Sequence, residues 1–228
     1  MPGWQAVYED SKDKGLVVLA VALDSGGPEA VRPWVERASP SYPCLIDTEH
    51  LVARLYGIVN VPTAVWIDET GRIVRPPEPA GASDTFRRMD RATGRLPEDA
   101  AEERRLRRQI YMDAVRDWAA RGEASVHVLP PDEVRRRLAG PGREQSQAAA
   151  HFRLGLHLYR QGRREEGLRH LWEAARLHPE SWAYKRQAWE LEEPGKATGP
   201  EFWSAVEALG DRPYYPPIQM VGMPPYER

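Results

Sequence analysis

The stretch from Leu51 to Val74, LVARLYGIVNVPTAVWIDETGRIV, constrains the fold more than any other part of the chain. Leu51, Val52, Leu55 and Tyr56 recur at helical spacing, and Gly57 supplies the left-handed stop that ends such a helix. Val61-Pro62-Thr63 then opens an apolar run, Ala64 to Ile67, and the Asp68-Glu69-Thr70-Gly71 turn leads into a second run, Arg72 to Val74. Proline is tolerated at the mouth of a strand, where it removes no ladder hydrogen bond. The segment therefore predicts a helix, a proline-shaped loop and an antiparallel hairpin.

The preceding residues supply the rest of an α/β unit. Met1 to Gly15 reads as an amphipathic helix with Trp4, Val7 and Tyr8 on one face. Leu16 to Leu23 is an unbroken apolar run, the pattern of a parallel strand covered on both faces. Pro28 begins a second helix striped by Val31, Trp34, Val35 and Ala38, and Tyr42 to Ile46 is a short strand. Asp47 or Thr48 can cap the helix that follows. A last helix, Ser83 to Ala92, closes a unit spanning 1–95.

Five blocks carry a family resemblance in order and spacing. They are Leu19-Ala20-Val21-Ala22-Leu23-Asp24, Tyr42-Pro43 with Leu45-Ile46-Asp47, Leu55-Tyr56-Gly57-Ile58, Val61-Pro62-Thr63, and Ile67-Asp68 with Gly71-Arg72-Ile73-Val74. Together they resemble a thioredoxin-like domain of the TlpA/ResA and alkyl-hydroperoxide-reductase type. The resemblance implies that Val61, Pro62 and Thr63 form a cis-proline binding loop beside a reactive Trp-Cys-x-x-Cys pair. That pair would lie just before an acidic-x-Pro step whose end Met1-Pro2 resembles, yet the chain has a single cysteine, Cys44. The interior strand that normally precedes the dithiol is also expected to be absent. Backbone groups left unpaired by it cost roughly 1–3 kcal/mol each if buried. A longer natural chain, a degenerate domain, and a strand supplied by a partner all remain open. Without a dithiol, the cis-proline loop is expected to serve structure first.

Cys44 lies within a strand between Pro43 and Leu45 and is expected to be a small core residue. A free, sensing or peroxidatic thiol is the second reading, with no neighbouring cation in the sequence to favour thiolate.

Composition shifts towards Arg, Glu and Ala after Leu96-Pro97. Glu98 to Arg121 reads as one helix with acids at its start, a stripe of Leu106, Ile110, Ala114 and Trp118, and Gly122 as its stop. A helical connector is expected over 96–142, with an extended piece at Val126 to Leu129, a helix from Pro131 to Leu138 and a linker at Gly140-Pro141-Gly142. Residues 146–179 resemble a tetratricopeptide repeat through Leu154-Gly155, Leu158, Gly167, Leu171, Ala174 and Pro179. His151, Leu158 and Gly167 depart from that pattern, which carries tryptophan, tyrosine and alanine there. The expected division places an all-α region at 143–210, with further helices around Trp182–Trp189 and Phe202–Leu209, and a Pro/aromatic-rich tail at 211–228 that folds back over the helices.

Charge and composition exclude several function classes. The formal charge is −2, from 32 basic and 34 acidic residues, so no net field draws the chain to nucleic acid. Arg104, Arg105, Arg107 and Arg108 are balanced by nearby acids and are expected on a solvated face. The longest apolar run is too short to cross a bilayer. One unpaired cysteine fits a reducing, cytoplasmic compartment, with the cell envelope expected instead if an N-terminal segment precedes Met1. No metal or cofactor site is expected, because His151, His157, His170 and His178 share no helical face with ligand spacing. The expected role is that of a redox-inactive, protein-binding module, with self-association through its incomplete sheet as one expected route; a thiol-disulfide oxidoreductase or peroxidase whose catalytic segment lies upstream is the alternative.

Overall fold

A computed structural model describes residues 2–138 and 140–225. The expectations that rest on Met1 and Tyr226 lie outside the described residues. Helix α1 (Pro2–Ser11) runs through a 3-10 turn and stops at Gly15, whose φ of 88° is left-handed. Strand β1 (Ala20–Ala22), helix α2 (Pro28–Ala38), strand β2 (Cys44–Ile46) and helix α3 (Leu51–Tyr56) follow. The hairpin β3 (Thr63–Ile67) and β4 (Ile73–Pro79) comes next. Then come α4 (Glu98–Arg121), α5 (Pro131–Arg137), α6 (Arg143–Arg160), α7 (Arg164–Leu177), α8 (Trp182–Glu192) and α9 (Pro200–Glu207).

The strands form two separate ladders instead of one sheet. β1 pairs parallel with β2, Val21 opposite Leu45, and β3 pairs antiparallel with β4, Trp66 opposite Arg75. This corrects the doubly covered strand expected over Leu16 to Leu23. Only Ala20–Ala22 joins a ladder, and Val17 and Leu19 are 69% and 59% exposed. Leu45, opposite Val21 in the ladder, is exposed, and Val21 is only half-buried. α3 likewise buries Ala53 and leaves Leu51 and Leu55 in solvent. Asp47 caps it, its two carboxylate oxygens accepting the N–H groups of Leu51, Val52 and Ala53 at 2.8, 2.7 and 3.2 Å. The helix expected over Ser83 to Ala92 is only a 3-10 turn, Asp84–Arg88.

α4 has the bounds that its caps and acids predict, and its buried face keeps Ala114 and Trp118 of the expected stripe but is otherwise turned away from it. Arg107, Tyr111, Met112, Ala114 and Val115 point inward while Leu106 is exposed. They pack with Val7 of α1, with Trp66 and Val74 of the hairpin, and with Ile218, Met220 and Met223 of the tail. One core thus joins residues on both sides of position 95. Arg107 is not on a solvated face: it donates to Glu103 and to the carbonyls of Pro224 and Pro225. The extended piece expected at Val126–Leu129 forms no strand, although the Leu129 N–H bonds the Val74 carbonyl at 3.2 Å.

α6, α7 and α8 enclose a second core of Ala148, Phe152, Leu156, Leu171, Ala174 and Tyr184. This layer meets the N-terminal unit at His50. The His50 ring lies 4.8 Å from that of Phe152, and its Nε2 is 3.3 Å from Gln187 Oε1. Ser25 N–H also donates to Gln187, and Arg160 to the Thr48 carbonyl. Burial lowers the His50 pKa below its ordinary 6.5, against the opposing charges of Asp47, Asp24 and Glu49. The unfolded chain therefore binds the proton more readily than the folded one. Stability from neutral His50 is present above about pH 6.5 and declines as pH falls through and below that value. Thermal melts between about pH 7 and 5 should show a slope of up to about 1.4 kcal/mol per pH unit from this group. His50→Gln should flatten that slope; an unchanged slope would dismiss His50 as its source.

Candidate functional site

The loop before β3 is built around Asn60 and the Val61–Pro62 peptide bond, which is cis. Asn60 is buried, and its Oδ1 accepts the Val61 N–H at 2.9 Å while its carbonyl accepts the Thr63 hydroxyl at 2.6 Å. The Pro62 carbonyl accepts the Ala80 N–H, and the Val59 carbonyl accepts that of Ala183 in α8. Val61 itself is 40% exposed and Pro62 is exposed, so the loop keeps an outer surface.

The C-terminal tail closes over this loop. Asn60 Nδ2 donates to the Tyr214 carbonyl at 3.2 Å, and the Tyr215 hydroxyl donates to the Val61 carbonyl at 2.8 Å. The Asp84 carboxylate fixes the tail by accepting the Tyr214 and Tyr215 N–H groups at 2.8 and 2.7 Å. Phe86, Trp182, Phe202 and Tyr214 form an aromatic cluster beneath, with the Phe86 and Tyr214 ring centres 4.9 Å apart. Burial raises the Tyr215 pKa well above the ordinary tyrosine value, so this hydroxyl stays a donor at neutral pH. Every backbone group of Val61 and Pro62 that can hydrogen-bond is thereby held within the chain.

Cys44 sits in β2, in the ladder that does not contain the loop. Its Sγ is 3.8 Å from the Tyr42 carbonyl, and burial pushes its pKa upward, away from thiolate. The structure does not gather Val61, Pro62, Thr63 and Cys44 into one centre. Asn60, Asp84 and Tyr215 carry no local signal in the sequence because the contacts that join loop and tail span 130 to 154 residues of chain. Among the described residues, no group of three or more His, Cys, Asp and Glu side chains is placed to hold a metal ion, and no helix is long and apolar enough to cross a membrane.

Comparison with known proteins places the first third of the chain. Residues 1–75 match the AhpC/TSA family. Over 76 residues the chain is 36% identical to the thiol-disulfide oxidoreductase ResA of Halalkalibacterium halodurans, a match covering 33% of this chain and 42% of that protein. The ResA proteins of Bacillus thuringiensis and Bacillus cereus are each 28% identical over 75 residues, covering 33% of this chain and 43% of theirs. The chain thus spans about two fifths of the length of the curated relatives it matches. No solved structure matches significantly. The N-terminal third is an AhpC/TSA-type, thioredoxin-like domain with ResA thiol-disulfide oxidoreductases among its homologues.

Proposed function

We propose that this chain is a redox-inactive thioredoxin-fold protein whose helical module, α6 to α8, binds another protein. The observation that carries the reading is the closed state of the cis-proline loop. Its backbone, which would have to hydrogen-bond an extended polypeptide, is already bonded to Asn60, Ala80 and Tyr215. Disulfide exchange further requires a thiolate, and the environment of Cys44 favours the protonated thiol. For the helical module, the tetratricopeptide-like residues Gly155, Leu158, Gly167, Leu171 and Ala174 are buried, whereas Leu154 of the same pattern is exposed. Within this reading, 1–95 is the thioredoxin-like part, 96–142 a connector, 143–210 the interaction module and 211–228 the tail, whose Tyr214 and Tyr215 strap the loop. The exposed face around Val17, Leu19 and Leu45 offers a second route to a partner, including another copy of the chain. The proposed location is the cytoplasm.

The relationship to ResA favours a second reading, in which a longer chain carries the dithiol and acts as a thiol-disulfide oxidoreductase, with a cell-envelope location. Insulin reduction in the presence of dithiothreitol tests redox inactivity for the residues present. The chain should leave the uncatalysed rate unchanged, and Cys44→Ser should behave identically. Turnover above background that disappears in Cys44→Ser would overturn redox inactivity.

A further inference from the structure

The helical layer brings together two histidines that share no helix. His151 of α6 and His170 of α7 face each other with Nδ1 atoms 2.8 Å apart and ring centres 5.0 Å apart. Two imidazole Nδ1 atoms at this distance share one proton: one ring donates and the other accepts. The rings are partly buried, so their outer edges reach solvent. Their spacing is set by backbone as well as by side-chain rotamers. Gly155, four residues after His151, and Gly167, three before His170, mark the closest approach of the two helices, where a Cβ on either would lie 2.8 Å from the other's carbonyl oxygen. The pair therefore lies about one turn from the close approach of the two helices.

We propose that His151 and His170 form a two-imidazole binding site for a borderline divalent transition metal, Cu2+ or Zn2+, bridging α6 and α7. Nitrogens each about 2.0 Å from one ion lie about 2.8 Å apart at a right angle and about 3.3 Å apart at the tetrahedral angle. The observed separation needs an opening of no more than about half an ångström, with ring rotation to aim both lone pairs at one point. Metal binding takes the place of the shared Nδ1 proton: that proton is lost to solvent while the donor ring gains one from solvent at Nε2, so both rings coordinate as neutral imidazoles and water supplies the remaining ligands. Glu173, one turn beyond His170, lies within electrostatic reach of both rings and makes the surroundings favourable to a cation, although Arg176 holds its carboxylate at 2.7 and 2.8 Å. The site is independent of the redox reading, since it uses neither Cys44 nor the cis-proline loop.

The test is titration of the tag-free, chelator-treated full chain with Cu2+ and with Zn2+, by calorimetry and, for Cu2+, electron paramagnetic resonance. One equivalent should bind, with two nitrogen ligands in the Cu2+ spectrum. His151→Gln and His170→Gln should each leave one of these nitrogens and weaken binding about a hundredfold, the loss expected when a chelate becomes a single ligand. His157→Gln, on the same helix but outside the pair, should bind as the unaltered chain does. Circular dichroism melts identify variants that remain folded, and a folded His170→Gln chain with unchanged affinity and spectrum would overturn the proposal. So would failure of the unaltered chain to bind either metal below millimolar concentration.

Discussion

Replacing Arg75 with Met should cost about 3–5 kcal/mol of stability and lower the melting temperature by on the order of 10 °C. Arg75 is 1% exposed and Glu78 is 8% exposed. The guanidinium donates to both Glu78 carboxylate oxygens, at 2.7 and 2.8 Å, and its remaining donors reach the carbonyls of His127 at 2.6 Å and Gln219 at 3.0 Å. It also lies 5.4 Å from the centre of the Trp66 ring. One side chain thus ties the β3–β4 hairpin to the segment after α4 and to the tail. Methionine fills much of the volume but strands the Glu78 charge and two carbonyls away from water. The cost comes from those orphaned groups more than from lost attraction between the ions. A second substitution separates the two causes. Arg75→Met combined with Glu78→Leu removes the stranded charge and should recover a substantial part of the loss. Limited proteolysis should cut Arg75→Met earlier in the tail than the unaltered chain, because Gln219 loses its anchor. A single variant within about 1 kcal/mol of the unaltered chain would show that the network contributes little.

The same network marks where the sequence stops being informative. The hairpin, α3 with its Gly57 stop, and the bounds of α4 follow from caps, turns and periodicity, which are local signals. The buried face of α4 does not. Of its most apolar row, Leu106 to Trp118 in steps of four, Ala114 and Trp118 reach the core while Leu106 is exposed, and the core also takes Arg107, Tyr111 and Val115 from the neighbouring row. Arg107 is buried with its donors on Glu103 one turn back and on the carbonyls of Pro224 and Pro225, more than a hundred residues away. The candidate loop was legible from Val61-Pro62-Thr63, but its closure was not, since Asp84 and Tyr215 meet only after the tail returns. His151 and His170 are not linked by helical spacing for a related reason: the face they share lies between two helices.

Gly167→Ala provides the second large effect, and here two physical terms oppose one another. In an exposed helix interior, alanine is more favourable than glycine by about 1 kcal/mol, so helix propensity alone predicts stabilisation of α7. Packing predicts the reverse. A Cβ at Gly167 would sit 2.8 Å from the Gly155 carbonyl oxygen, 2.8 Å from the Tyr159 nitrogen and 3.0 Å from the Tyr159 Cβ. Two of these neighbours are backbone atoms of α6, which cannot rotate aside, so the helices must separate. Separation opens contacts throughout the Phe152, Leu156 and Leu171 core. The net result should be a loss of about 1–3 kcal/mol, read from denaturant midpoints at unchanged slope. The tetratricopeptide pattern carries alanine at this position, so the outcome also reports on the crossing itself. Stabilisation by Gly167→Ala would mean that α6 and α7 sit at a distance that accommodates the repeat's usual alanine. Gly155→Ala should be destabilising too, with its Cβ 2.8 Å from the Gly167 oxygen and from Leu171 Cγ. The double variant should cost less than the two losses added, because the first methyl group already forces apart the surfaces that the second would meet.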